Sequence, residues 1–265
     1  MNALGKRWIT FCVLWLGIGG LHAHEFWIEP VQPRFSPGQP VVARIKVGQH
    51  LKGNQQPYIA SWFEEFQIFD PQGVRPVAGM MGDTPALSVP ARTEGLHVLQ
   101  YRSTPDRLKY LSREQFQKFI GYEGLTDLLQ RHQARGLPEF GFEEDYVRCA
   151  KALVPVGSGV GEDRLVGMPL ELLAERNPFT SSEKQLPIRL FWQGKPLADT
   201  QVRIFREETP EPENEEVVRT SSEGRAQIQL PAKGVLLLNA VHLVELDGSN
   251  GAVWKSYWAS MTLRF

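Results

Sequence analysis

From residue 26 onward, apolar residues recur in short runs, and proline, glycine or an acidic turn closes each one. Val41-Val42-Ala43-Arg44-Ile45-Lys46-Val47 alternates at its end, as a half-buried strand does, and Pro37-Gly38 before it is a turn signal. Ser61 to Phe69 (SWFEEFQIF) is aromatic-rich and stops at Asp70-Pro71-Gln72-Gly73. Thr93-Glu94-Gly95 then introduces Leu96 to Tyr101. Many short strands with this punctuation predict a β-sandwich over residues 24–105.

Residues 106–153 change character. Ser112-Arg113-Glu114-Gln115 reads as a capping box, and Phe116, Phe119, Ile120, Leu125, Leu128 and Leu129 continue at helical spacing. Gly121 and Gly124 weaken the middle, which predicts two short helices in an insertion ending at Gly136-Leu137-Pro138. Phe142 to Leu153 suits either a further helix or a strand. Residues 154–185 read as a connector. Gly157, Gly159 and Gly161 lack the strand-loop-helix setting of a phosphate site. Residues 186–265 return to strand patterns: Leu186–Trp192, Gln201–Phe205, Arg225–Leu230, Val235–Glu245 and Val253–Phe265. Between them Glu207 to Glu216 holds six glutamates and two prolines, the composition of a solvated loop. The expected fold is therefore mainly β: two immunoglobulin-like β-sandwich domains with a helical insertion between them.

The first residues point to export. Lys6 and Arg7 precede an apolar run of about 13 residues, Trp8 to Gly20, and Leu21-His22-Ala23 ends in a small residue. That is the anatomy of a secretory signal peptide over residues 1–23, and the run is short of the ~20 residues of a spanning helix. No later stretch is long and apolar enough to cross a membrane as a helix. Removal of residues 1–23 takes Cys12 away and leaves Cys149 alone, so no internal disulfide forms and the core must hold the fold. The formal charge of −1 gives no electrostatic case for nucleic acid. The implied location is the periplasm.

A cut between Ala23 and His24 also creates a chemical group. His24 then carries a free α-amine beside its imidazole, and the amine nitrogen and Nδ1 close a chelate ring on one metal ion. The amine titrates near ~7.7–8.0, so its proton is lost cheaply at neutral pH. These nitrogens suit Cu, Ni and Zn better than Mg or Ca.

Several stretches resemble the DUF4198 family, whose members are described as periplasmic components of cobalt or nickel uptake. Ala23-His24-Glu25-Phe26-Trp27-Ile28-Glu29-Pro30 is similar to that family's mature start. Glu123-Gly124-Leu125 resembles its "EGL" stretch, and Asp145 to Leu153 its "YsRyaKaL" motif, with Val147 and Cys149 in place of Ser and Tyr. Gly167-Met168-Pro169-Leu170-Glu171-Leu172 with Asn177-Pro178 resembles "GxPLEL…NP", and Trp258 to Leu263 its closing "WASLTF". The resemblance implies a metal-linked role and supplies no reaction.

A metal site needs three or four ligands, and the chain has no HxxxH, HExxH or CxxC spacing, so distant strands would have to assemble one. His24 leads the candidates, with His242 or His97 expected to complete its site. His242, among apolar residues of a strand, is either a ligand or a core histidine bonded to backbone. His97 and His50 are further candidates, and His132 is expected to face solvent. The expectation is a carrier or buffer of Ni, Co, Cu or Zn, with a membrane metal transporter as its partner, and no catalysis. Two rivals are a copper enzyme with a terminal-histidine site, of the kind found on β-sandwiches that cleave polysaccharide oxidatively, and an immunoglobulin-like module without metal.

Overall fold

The computed structural model describes residues 24–209 and 215–265; the expected signal peptide lies outside them. Strand β1 (Glu25–Pro30) pairs with β2 (Pro40–Gln49), which turns tightly into β3 (Lys52–Gln56). The hairpin β4 (Phe63–Asp70) and β5 (Gly73–Pro76) follows; β6 (Leu87–Pro90) pairs with the start of β2 on the side away from β1, the side that β3 also takes, and β7 (Gly95–Ser103) pairs with β4. After β8 (Asp106–Lys109) come α1 (Arg113–Tyr122) and α2 (Leu128–Ala134). The capping box starts α1: Ser112 Oγ accepts from the Gln115 N–H, and the Gln115 side chain accepts from the Ser112 N–H.

The long β9 (Glu143–Val156) then runs between β7 and the last strand. Its position explains the ambiguous run from Phe142 to Leu153: a strand covered on both faces loses its polar alternation. The segment expected as a helical insertion is thus bounded by strands at both ends, and the connector contains β10 (Leu170–Ala174). The remaining strands are β11 (Gln185–Trp192), β12 (Lys195–Pro196), β13 (Gln201–Arg206), β14 (Glu215–Arg219), β15 (Arg225–Gln229), β16 (Val235–Glu245) and β17 (Ala252–Arg264). Glu215 and Glu216, expected in a loop, belong to β14, where pairing with Phe205 and Ile204 holds them.

The protein is mainly β. Strands from both halves of the chain lie in one nine-stranded central sheet, ordered β14-β13-β16-β17-β9-β7-β4-β5, with β8 on β9. Its join is parallel, Ala259 opposite Cys149 and Leu263 opposite Leu153. A sheet of β1, β2, β3 and β6 buries Phe26, Ile28 and Ile45 against Leu99, Tyr101, Ala150 and Ala152 on one face. A sheet of β10, β11, β12 and β15 buries Leu172, Leu190 and Ile228 against Val98, Leu153, Leu238 and Met261 on the other. Since side chains alternate along each strand, the two small sheets cover opposite faces of the shared one. The helices sit beside β1 on its face, packing Phe116, Ile120 and Leu128 against Val241, Trp254 and Trp258.

Candidate metal site at the start of the first strand

All six residues of β1 are buried. Phe26 and Ile28 enter the core beneath the first sheet, while Trp27, on the opposite side of the strand, packs with Phe205, Leu237 and Leu51. Gly53 makes room for it: a Cβ there would come within 2.6 Å of Trp27 Cη2. Glu29 holds the far end of β1, accepting from Trp27 Nε1 at 3.1 Å and Lys46 Nζ at 3.2 Å, with Arg264 at 3.3 Å. The strand is clamped along its length, and His24 is the exposed residue just ahead of it.

His50 stands at the neighbouring tip. Gln49 pairs with Lys52, so His50 and Leu51 form a two-residue hairpin turn, with φ of 51° and 64°. That is the backbone of a type I′ turn, usually made by Asn-Gly; non-glycine residues there cost about 1–2 kcal/mol each. Leu51 offsets this by packing against Trp27 and Phe205, which fixes the orientation of the turn. His50 Nδ1 lies 3.6 Å from Glu215 Oε2, and its ring stands edge-on to Phe205. His24 and His50 line the same open concavity, about 670 Å³, with Gly48, Lys52 and Gly53.

Behind it lies a polar layer that the sequence reading did not identify. Arg203 ion-pairs with Glu215 and with Glu123 at 3.8 Å, and its guanidinium lies over the Tyr122 ring. Burial pushes the Glu25 carboxyl up to about 8, Glu123 adding to the effect and Arg203 opposing it; burial pushes Glu123 up to about 7. Glu25 Oε2, Arg203 Nε, Asn239 Nδ2 and Ser260 Oγ are buried without hydrogen-bond partners among the described residues. Arg203, Asn239 and Ser260 follow one another across the central sheet. The one signal for this layer was a charged residue between Val202 and Ile204 of a strand, where a buried arginine demands carboxylates.

The other candidates lie elsewhere. His242 is on the opposite face of the central sheet from β1, its ring 4.6 Å from Trp192; burial lowers its pKa, and Arg131 adds to that. His97 is buried with Nε2 3.0 Å from the Thr93 carbonyl oxygen, and desolvation lowers its pKa. Neither lines the concavity of His24. His132 does not face solvent: Trp254 Nε1 donates to its Nδ1 at 3.0 Å, and its Nε2 lies 2.8 Å from the Pro138 carbonyl oxygen. The accepting Nδ1 places the ring proton on Nε2. Cys149 is buried, its thiol pushed up to about 12 by desolvation. Among the described residues no group of three or more His, Cys, Asp or Glu side chains is placed to hold a metal ion. None of their helices is long and apolar enough to cross a membrane.

The glycines around Gly157 are structural, for Asn177 Nδ2 donates to the carbonyl oxygens of Gly159 and Gly161. The sequence profile described as a domain of unknown function, DUF4198, matches residues 21–244. The chain belongs to the DUF4198 family. A search of curated proteins returns no match for this DUF4198 chain. Among solved structures it is similar to a tetra-tandem repeat from the extending region of a large adhesion protein (9% identity, 91% of this chain and 49% of that one, TM-score 0.20). It is also similar to the D0-D1 domain of intimin (8% identity, 91% and 98%, TM-score 0.20). A third is dimeric latent PorU from Porphyromonas gingivalis (10% identity, 89% and 20%, TM-score 0.19). The chain spans about half the length of the first, and overlaps of this size describe no shared function.

Proposed function

We propose that this DUF4198 protein is exported to the periplasm and binds a transition-metal ion, nickel, cobalt, copper or zinc, which it carries or buffers for uptake by a membrane transporter. The observation that carries the reading is that His24 and His50 line one concavity. Two imidazoles, joined by the α-amine once the chain begins at His24, make a three-nitrogen donor set that suits these metals. The clamped β1 beside His24 and the anchored turn that carries His50 support this reading, since a preorganised site needs fixed backbone next to its donors. We read the architecture as two immunoglobulin-like units fused through the shared sheet, a reading supported by the two cores on its opposite faces.

The test is a calorimetric titration of the chain beginning at His24 with Ni(II), Co(II), Cu(II) and Zn(II), beside a chain that retains Ala23. Binding of one ion that weakens at least tenfold when Ala23 is retained supports the reading. Equal affinity, or none, overturns it. Intact mass of protein from the periplasmic fraction fixes the first residue independently. The same nitrogens also suit a copper enzyme; oxygen consumption by the copper-loaded protein with a reductant favours that alternative.

A further inference from the structure

His24 also borders a second cleft, about 380 Å³, which His50 does not line. Its walls include Lys109 and Arg148 together with Tyr110, Phe119 and Trp258, and no carboxylate lines it among the described residues. Arg148 is unusual. Its guanidinium lies between the rings of Phe26 and Tyr146, 5.2 Å from each. Among the described residues its guanidinium makes no ion pair and no hydrogen bond, while its backbone N–H donates to Ser103 Oγ. Asp106, which is outside the lining of this cleft, accepts from the Tyr146 hydroxyl at 2.6 Å. Arg107, in the same cleft, is engaged by Asp145 at 2.7 Å and Glu143 at 3.2 Å.

A guanidinium flanked by two rings is partly stripped of water and keeps its fork of N–H donors oriented, which is the condition for bidentate capture of a carboxylate. Phe119 and Trp258 stack at 5.7 Å and give the cleft an apolar wall. The volume falls within the usual range of small-molecule sites.

We propose that this cleft binds a small, flat organic carboxylate through Arg148, and that the metal reaches His24 as its complex with such an acid. The second half rests on the metal reading above. Three protein nitrogens leave coordination positions open, and His24 is the residue common to the concavity and the cleft. A chelating acid fills those positions, presents its outer carboxylate oxygens to Arg148 and lays its plane along Phe119 and Trp258.

The experiment uses pyridine-2,6-dicarboxylate as the probe acid. The chain beginning at His24 and its Arg148→Met variant are titrated with Ni(II), with the acid alone and with their one-to-one complex. We expect the complex to bind the variant at least tenfold more weakly, with Ni(II) alone binding both equally. Equal affinity of both proteins for the complex overturns the proposal. Should the variant fail to fold, the neutral diamide of the same acid, titrated into the unaltered chain, keeps the test: it must bind at least tenfold more weakly than the acid, and equal binding overturns the proposal. Arg148-dependent binding of the acid without any binding of Ni(II) supports the cleft and removes the metal reading alone.

Discussion

Lys151 Nζ lies 2.7 Å from Glu171 Oε1, with both side chains closed off from solvent. Lys151 comes from β9 in the central sheet and Glu171 from β10 in the sheet that covers it. Lys151 also reaches Asp163 Oδ1 at 3.3 Å and the carbonyl oxygens of Arg164 and Leu172, while Glu171 accepts from the N–H groups of Val166, Gly167 and Met168. Two stretches that carry the family resemblance meet in this pair, and their role is to bind the sheets together and order the loop before β10.

Removing one partner of such a pair strands the other charge. Lys151→Met leaves Glu171 and Asp163 buried without their cation, and we expect a loss of about 3–5 kcal/mol in urea unfolding. A loss under about 1 kcal/mol contradicts this role.

His132 is a structural histidine. Replacing it by alanine leaves Trp254 Nε1 and the Pro138 carbonyl unpaired beneath α2 and opens a cavity beside Phe116 and Phe142. We expect about 2–4 kcal/mol lost in stability and unchanged metal affinity. A changed affinity in a folded variant contradicts this assignment.

Glu144 sets a pH dependence. It is fully buried, accepting from Tyr110 Oη at 2.8 Å and Ser256 Oγ at 2.5 Å, and burial pushes its carboxyl up to about 7 from 4.5. Because its folded pKa is raised, its contribution is full below about 4.5 and is lost as the pH rises through about 7. The loss amounts to roughly 3 kcal/mol. Denaturation midpoints of the chain and of Glu144→Gln are therefore expected to diverge between pH 4.5 and 7, the unaltered chain declining more; parallel profiles contradict the assignment.

Strands β2, β4, β7, β11, β13, β15, β16 and β17 and the start of α1 were legible because alternation and the capping box are local signals, whereas the short β3, β5, β6, β8, β10, β12 and β14 carry too few residues to show a pattern. The shared sheet was not, for the parallel pairing of β9 with β17 joins residues far apart in sequence, and nothing local encodes that register. His132 was misread although the spacing was present: it stands four residues after the buried Leu128, on the same helical face. His24 was singled out from its place after Ala23. Its meeting with His50 depends on a left-handed turn and on the packing of Leu51, which residue type does not reveal. Arg148 stood in a noted motif, yet that it has no counter-ion among the described residues is visible only once its neighbours are placed.

The central claim is that His24 and His50 hold one metal ion together. Electron paramagnetic resonance of the Cu(II)-loaded chain beginning at His24 tests it directly, because the hyperfine pattern reports the coordinating nitrogens. The account predicts three nitrogens, one fewer in His50→Ala, and unchanged spectra in His97→Ala and His242→Ala. A His50→Ala spectrum identical to that of the unaltered chain, or a change in either of the other two, would contradict it.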